Sequence, residues 1–155
     1  MNAAEHTPSD TSRKGRTTMQ LNITTDYALR ALIYLSGQER TCNSQSIGEY
    51  VSVSGEYIRK ILRMLKAAGM VISDQGAFGG YKLAKPLSEI TLLDVLQVTE
   101  DTVRITRRAE KARGNDENDP LLRLYNDTQA WVDRTLSSIT LQDIVDGKET
   151  PFTRK

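Results

Sequence analysis

The stretch "SGEYIRKILRMLKAAGMVISDQGAFGGYKLAK" (54–85) combines a helical pattern with a Gly-rich loop that lies between two short apolar runs. Its first half repeats apolar residues every three or four positions, which predicts a helix from about 55 to 68. Ser54 can cap the start of this helix, and Gly69 suits the left-handed conformation that often follows a helix end. We predict two short strands around the loop, Val71–Asp74 and Tyr81–Ala84.

The predicted helix has an apolar face and a charged face. The inward stripe consists of Tyr57, Ile58, Ile61, Leu62 and Leu65. The opposite stripe consists of Glu56, Arg59, Lys60, Arg63 and Lys66. A basic stripe is usually only a solvated surface. Its place directly after a tight turn and before a hairpin favours contact with a polyanion.

Two more helices are predicted before this stretch. The first runs from about Thr25 to Ser36, with Thr24 or Thr25 as its cap, and its inward residues are Ile23, Ala28, Leu32 and Leu35. The second lies in "NSQSIGEYV" (43–51), where Asn43 or Ser44 can cap it and where the inward residues are Ile47, Tyr50 and Val51. The segment "SVSG" (52–55) then forms the tight turn into the third helix.

This order of helix, helix–turn–helix and hairpin predicts a winged helix–turn–helix, in which the third helix enters the DNA major groove and the hairpin contacts the backbone or minor groove. The loop glycines Gly76, Gly79 and Gly80 would adopt positive φ and bring backbone N–H groups near phosphates. A nucleotide enzyme would instead need a loop between strand and helix, with a Lys-Ser/Thr or GxGxxG pattern that is missing here. An ordinary hairpin turn is the remaining alternative.

The C-terminal half is predicted to be helical. Thr91 with Asp94 indicates a capping box before a short apolar helix, and Asp119 followed by Pro120 indicates the start of a long one. We expect a disordered tail (1–18), a winged helix–turn–helix (19–86), a helical dimerisation and sensing region (87–147) and a flexible C terminus (148–155). The predicted fold class is mainly α with a small β-hairpin.

Composition narrows the functional class. The chain has 155 residues, one cysteine and one histidine, and it lacks an apolar run that could span a membrane. His6 lies in the predicted tail, so no catalytic Ser/His/Asp or Cys/His arrangement is expected, and a cytoplasmic protein that is not an enzyme is predicted. Residues 19–85 carry eight basic and five acidic side chains, whereas residues 86–155 carry ten and thirteen. The basic front half therefore favours a polyanionic partner.

Four segments of the sequence resemble the IscR/NsrR/CymR-type transcription regulators, the Rrf-two family. They are "TDYALRALIYL" (25–35), "SIGEYVSVSGEYIRKILRMLKAAGMV" (46–71), "GAFGGYKLAKPLSEITLLDVLQVTE" (76–100) and "LSSITLQDIV" (136–145). The resemblance covers residues from about 19 to 145. It implies a homodimer, held by the long helix that begins at Pro120, and a palindromic double-stranded DNA site. The dimer residues would be Leu121, Leu124, Thr128, Val132, Leu136 and Ile139.

The sequence departs from this family at two points. Cluster-binding members carry three cysteines between the short apolar helix and the dimer helix, but residues 104–119 contain none. Because iron–sulfur clusters are held mainly by thiolates, we expect no cluster. With a single cysteine and the single histidine in the predicted tail, we also expect no other metal and no cofactor. Many members also have a basic residue before the wing glycine, where this chain has Gln75. Lys82 is then expected to contact phosphate in place of a minor-groove arginine.

The function predicted from these features is a homodimeric, DNA-binding transcriptional repressor. At the start of the second helix, Asn43 and Ser44 would hold phosphate, and in the third helix Glu56 would accept from cytosine while Arg59 donates to guanine. The full set of candidate DNA contacts is Asn43, Ser44, Ser54, Glu56, Tyr57, Arg59, Lys60, Arg63, Gln75, Gly76, Gly79, Gly80 and Lys82.

Two alternatives stay open at this stage. The basic face could bind an acidic protein partner, and a pulldown with and without nuclease would separate this class from a DNA-binding protein.

Cys42 is the single thiol, and a position near a helix N-terminus can lower a thiol pKa and favour redox sensing. An incidental cysteine is the simpler interpretation. A small molecule or a protein could equally be the effector, and the sequence does not identify it.

Overall fold

The computed structural model describes residues 21–76, 79–100, 103–104 and 119–151. Its elements are α1 (Ile23–Ser36), α2 (Ser44–Val51), α3 (Gly55–Ala67), β1 (Val71–Asp74), β2 (Gly80–Leu83), α4 (Leu92–Thr99), α5 (Pro120–Ser137) and α6 (Leu141–Val145), with one 3-10 turn at Leu87–Glu89. The predicted tail with His6, the tip at 77–78, most of the polar segment 104–119 and residues 152–155 lie outside the described residues.

Buried side chains from the first three helices form the core. Leu32 of α1, Ile47 of α2 and Ile58 of α3 are fully buried. Each such side chain contributes about 1.5–3 kcal/mol when it leaves water. Leu87 and Leu141 belong to the same core. The predicted boundary at residue 86 therefore crosses a shared core, although the two regions differ in their elements.

The caps of α2 and α3 are as predicted, but the start of α1 is not. Asn43 caps α2 and Ser54 caps α3 through their side-chain oxygens. Helix α1 begins two residues earlier than expected, and its cap is Asn22, whose Oδ1 accepts from Thr24 N–H at 3.0 Å. Thr25 is instead fully buried. An Asn side chain precedes the first turn here, so it satisfies the free N–H groups that a threonine was expected to satisfy.

Two predicted core residues are in fact exposed. The structure leaves 56% of Ile23 and 57% of Tyr50 accessible to solvent. Ile23 lies in the first turn of α1, and the Tyr50 ring packs against Tyr34 with centroids 4.6 Å apart. Of the three inward residues predicted for α2, Ile47 and Val51 are buried, whereas Tyr50 lies at the surface against Tyr34 of α1.

The hairpin is antiparallel and pairs Val71 with Leu83 and Asp74 with Gly80. Strand β2 begins one residue before the predicted Tyr81. A third backbone segment joins the sheet, because Cys42 N–H donates to Tyr81 O at 2.9 Å and Tyr81 N–H donates to Cys42 O at 2.8 Å. The wing is thus hydrogen-bonded to the residue that directly precedes the cap of α2.

The C-terminal helices are anchored at their ends. The predicted capping box of Thr91 and Asp94 is present in α4, and a second one joins Thr140 and Asp143 in α6. Leu92 N–H donates to Ile139 O at 2.8 Å, which holds the start of α6 beside the start of α4. In the part of the chain that the structure describes, no helix has the length and apolar character needed to cross a membrane.

Candidate nucleic-acid interface

The two faces predicted for α3 are present. Ile58, Ile61, Leu62 and Leu65 are at most 1% exposed. The charged residues of the opposite face are exposed, and they are Glu56, Arg59, Lys60, Arg63 and Lys66. Among the described residues, none of the four cations forms an ion pair with an acidic side chain. The face therefore presents four positive charges and one negative charge to solvent.

Close packing of two glycines fixes the angle between α2 and α3. A Cβ on Gly48 would lie 2.7 Å from the Val53 carbonyl oxygen and 3.2 Å from the Gly55 nitrogen. Between them Ser52 has a left-handed conformation, with φ of 67°. Only a residue without a side chain allows the helices to approach so closely at this turn. This contact was not predicted from the sequence, although Gly48 within a helical pattern was its signal.

Arg59 is directed towards the start of α2. Its Nη2 donates to Ser44 Oγ at 3.2 Å, and Ser44 is the first residue of that helix and only 9% exposed. The neighbouring cap Asn43 accepts from Ser46 N–H at 2.8 Å. The guanidinium thus lies beside free backbone N–H groups at a helix N-terminus, an arrangement that attracts phosphate.

Tyr57 faces the opposite flank of α3. Its hydroxyl lies 3.0 Å from Thr24 Oγ1, and its ring makes an edge contact with Tyr27 at a centroid distance of 6.0 Å. The ring is half-buried. Among the residues of α3 that were predicted to contact DNA, Tyr57 therefore makes the most contacts within its own chain.

The three wing glycines serve different purposes. Only Gly76 has positive φ, at 113°, so the expectation of positive φ is wrong for Gly79 and Gly80. Those two lie where backbones approach each other, since a Cβ on Gly80 would be 2.5 Å from the Cys42 oxygen and one on Gly79 would overlap the Asp74 carbonyl. The Gly79 N–H donates to Gly76 O at 3.0 Å, so this donor is used within the loop.

The lysines next to the wing have partners in the wing itself. Lys82 Nζ lies 3.1 Å from Asp74 Oδ2 in an exposed ion pair. Lys66, at the end of α3, donates to Ser73 Oγ of β1 at 2.5 Å. Gln75 is exposed at the base of the tip. The phosphate contact expected for Lys82 from the sequence would have to replace this ion pair with Asp74.

Cys42 lies between the wing and the start of α2, and the pKa of its thiol is raised. Burial raises the pKa of this thiol, while a hydrogen bond with Tyr34 offsets part of that rise. The Sγ atom donates weakly to Arg40 O at 3.7 Å. A higher pKa means less thiolate at neutral pH, which is the opposite of what a redox sensor requires.

The predicted dimer residues divide into two groups along α5. Leu121 and Leu124 are each 57% exposed, and Thr128 and Val132 are half-buried. Leu136 and Ile139 are 7% and 3% exposed, so they are already covered by their own chain. Trp131, which is not among the predicted dimer residues, is also 57% exposed. The unpaired apolar surface of α5 therefore consists of Leu121, Leu124 and Trp131.

Comparisons with known proteins agree with this geometry. A family described as "Rrf2: Iron-dependent Transcriptional regulator" matches residues 21–147. The regulator NsrR of Oceanobacillus iheyensis is 30% identical over 136 residues, covering 84% of this chain and 92% of the relative. Protein aau3 of Rhizobium meliloti is 41% identical over 85 residues, covering 54% of this chain and 55% of that protein.

Solved structures have the same arrangement. CymR, the global cysteine regulator of B. subtilis, superposes with a TM-score of 0.65 at 25% identity and covers 85% of this chain and all of its own. IscR of T. potens gives a TM-score of 0.61 at 25% identity, covering 84% of this chain and 89% of that one. The match extends over the winged helix and the C-terminal helices together.

The iron named in the family description needs suitable ligands in this chain. Cys42 is the only cysteine in the sequence, whereas an iron–sulfur cluster needs several thiolates. The described ranges also contain no group of three or more His, Cys, Asp or Glu side chains placed to hold a metal ion. The donor set of this chain does not fit an iron–sulfur cluster.

Proposed function

The chain belongs to the Rrf2 family of DNA-binding transcriptional regulators, and from that premise we propose that it acts as a homodimeric repressor on a palindromic operator. The exposed cationic face of α3, between the start of α2 and the wing, is the observation that carries the proposal. It places four positive charges on one surface without acidic partners among the described residues. Regulators of this family are not enzymes, and this surface provides binding rather than chemistry.

Each element of this face has a distinct role in the proposed complex. Helix α3 enters the major groove, with Glu56 and Arg63 on the side turned away from the core. Arg59, held by Ser44, contacts the phosphate that lies at the N-terminus of α2. The wing follows the neighbouring backbone, where Gln75 and Lys82 are exposed. Arg59 is therefore proposed as a phosphate ligand first, and the guanine contact suggested by sequence is the alternative.

The second subunit is proposed to cover the exposed surface of α5. Leu121, Leu124 and Trp131 recur three and seven residues apart, so they lie on one side of the helix. The helix has 18 residues and is about 27 Å long at 1.5 Å per residue. Two copies packed along this length would present two α3 helices about one DNA turn apart, or about 34 Å. A dimer of this kind excludes other proteins from the same DNA, which is the basis of repression.

The test is a selection from random duplexes, followed by binding titrations at several salt concentrations. We expect a palindromic consensus, and the logarithm of affinity should fall with the logarithm of salt by about 0.9 per phosphate contact. Transcription from a promoter that contains the consensus should decrease when the protein is added. A protein freed of nucleic acid that selects no sequence would contradict the proposal.

Arg59→Ala distinguishes a phosphate contact from a base contact. If Arg59 is a phosphate ligand, its loss should weaken binding to all DNA sequences alike and reduce the salt slope by about 2 per dimer, one contact in each half-site. If Arg59 reads a base, its loss should relax the preference at one base pair per half-site, at a cost of about 1–3 kcal/mol. Arg30→Ala is the matched control, because this arginine is exposed on α1 and paired with Asp26 at 2.8 Å, outside the cationic face.

A further inference from the structure

A small cleft lies on the flank of α3 that faces away from the wing. It is about 130 Å³ in volume and lies between the start of α1, the middle of α3 and the end of α4. The residues that line it are Thr24, Tyr57, Lys60, Ile61, Met64 and Thr99. Three of the six carry a hydroxyl, one carries an ammonium group, and two are apolar. The DNA contacts predicted for α3 do not explain why hydroxyl, ammonium and apolar groups meet in this cleft.

The polar and apolar groups of the cleft suit an amphipathic occupant. Tyr57 OH and Thr24 Oγ1 are 3.0 Å apart, and each retains hydrogen-bonding capacity after this bond is made. Thr99 Oγ1 donates to Val95 O at 3.0 Å and lies 2.7 Å from Thr25 Oγ1, so this hydroxyl is already engaged within the chain. Met64 is half-buried and offers accessible hydrocarbon surface, whereas Ile61 is only 1% exposed and lies at the inner wall of the cleft. Lys60 contributes the single charged group of the lining.

The volume sets the size of the occupant. A cavity of about 150 Å³ holds one benzene molecule, which has six heavy atoms. A cleft of 130 Å³ therefore suits a molecule of about that size. We propose that the cleft binds a small aliphatic carboxylate, with its hydrocarbon part on Ile61 and Met64 and its carboxylate facing Lys60 and the Tyr57–Thr24 hydroxyl pair.

One acidic group lies near the cleft without lining it. Glu100 Oε1 accepts from Asn22 N–H at 2.8 Å and also from the Thr25 hydroxyl, which in turn lies 2.7 Å from Thr99 Oγ1. The two donors engage this carboxylate at the N-terminus of α1. The carboxylate of a ligand would therefore lie at the Lys60 side, away from Glu100.

Binding in the cleft would oppose DNA binding, and this step rests on the proposed function. Lys60 is one of the four cations of α3, so a carboxylate that pairs with it removes one phosphate partner in each subunit. Because linkage is reciprocal, bound DNA would lower the affinity for the carboxylate by the same factor. We expect a coupling of about 5-fold or more, at the lower end of the range for allosteric proteins. A small carboxylate bound in the cleft would therefore be the effector that lowers DNA affinity.

The direct test uses the full chain labelled at its methyl groups and titrated with sodium isobutyrate, a carboxylate with six heavy atoms. We expect saturable shifts at the methyls of Thr24, Ile61, Met64 and Thr99. Isobutyramide, which has the same size without the charge, should bind at least tenfold more weakly. Shifts at these methyls that do not saturate, or equal binding of the amide, would overturn the proposal.

Variants connect the shifts to the cleft. Met64→Phe fills it and Thr24→Val removes one hydroxyl at nearly constant volume, and each should weaken isobutyrate binding at least tenfold. Leu93→Phe is the control, because Leu93 is a half-buried residue of α4 that does not line the cleft. If both cleft variants fold and bind isobutyrate like the parent, the site is elsewhere and the proposal fails.

A parallel titration with a mixed-sequence duplex separates this inference from the proposed function. Saturating isobutyrate should lower the DNA affinity of the parent about 5-fold, whereas Lys60→Met should bind DNA more weakly and lose the response. No effect of isobutyrate on parent binding would overturn the coupling. A protein that fails to bind any DNA but shows saturable methyl shifts would instead contradict the proposed function alone.

Discussion

Helices α3 and α5 have similar apolar content but very different surroundings. Five residues of the 13 in α3 are buried, whereas only Leu136 is buried among the 18 of α5. The apolar side of α3 is covered by α1, α2, α4 and the wing of its own chain. Helix α5 leaves Leu121, Leu124 and Trp131 exposed to water. The apolar side of α3 is therefore buried within one chain, whereas we propose that a second copy covers the exposed apolar side of α5.

The two regions should therefore respond differently to substitution. In the winged helix, glycines at close contacts join α2 to α3 and the wing to Cys42, so a change there alters the fold of one subunit. On the exposed side of α5, a polar substitution costs one subunit little because its side chain remains in water. It should act on assembly, and on DNA binding through assembly.

The largest effect is expected from Leu124→Asp. A charge in a dimer core must be desolvated without a partner, and this cost exceeds the about 1.5–3 kcal/mol gained by burying a leucine. We expect a monomer with near-parental thermal stability and at least 100-fold weaker operator binding, measured by sedimentation and fluorescence anisotropy. Asn126→Asp adds the same charge at an exposed position of α5 and should remain dimeric. A dimeric, DNA-competent Leu124→Asp protein would exclude this side of α5 as the interface.

The next effect concerns the connection between the wing and α2. In Gly80→Ala, the added Cβ would lie 2.5 Å from the Cys42 carbonyl oxygen, so the wing must shift. We expect a loss of about 1–3 kcal/mol in the free energy of unfolding, measured with urea, together with weaker DNA binding. Gly37→Ala is the control, since its Cβ would meet Tyr34 O at an ordinary 3.7 Å. Equal stability of the two variants would show that the contact with Cys42 does not hold the wing.

Sequence patterns predicted the elements of the winged helix because each has a local signal. Helical spacing marked α3, side-chain caps marked the starts of α2 and α4, and the glycine loop marked the hairpin. Contacts between segments distant in sequence were not predicted, such as the Cys42–Tyr81 bridge and the Arg59–Ser44 bond. Local patterns do not contain this information, because these contacts depend on how complete elements pack.

The same limit explains the outcome for α5. The resemblance to the family implied a dimer interface along this helix, but the sequence does not state which chain covers each residue. Leu136 and Leu124 were both predicted at the interface, yet the first is buried in its own chain and the second is 57% exposed. The C-terminal end of α5 lies near α4, where Leu92 N–H donates to Ile139 O. This position explains why the residues near that end are buried, whereas those near the N-terminus of α5 are exposed.

A smaller effect is expected where the wing carries its own counter-charge. Asp74→Asn removes the partner of Lys82 and one negative charge near the phosphates, so affinity for any duplex should rise about 2–5-fold, within the 0–1 kcal/mol typical of exposed ion pairs. Lys82→Ala should lower affinity for all sequences alike. Asp127→Asn, an exposed acid on α5, is the control for net charge. If both acid variants raise affinity equally, the effect comes from total charge and not from Lys82.

The smallest effect is expected from Cys42→Ser, although this residue lies where the wing meets α2. Its backbone makes the two bonds with Tyr81, and the substitution leaves both in place. Because burial raises the pKa of the thiol, less thiolate is present at pH 7 than in a free cysteine, and its reaction with a disulfide reagent should be slow and should speed up as pH rises. We expect the parent and Cys42→Ser to bind DNA within twofold of each other, before and after peroxide treatment, as measured by anisotropy. Loss of binding in the treated parent but not in Cys42→Ser would make this thiol the sensor. Such a result would place the control of DNA binding at the connection between the wing and α2, and not at the cleft between α1, α3 and α4.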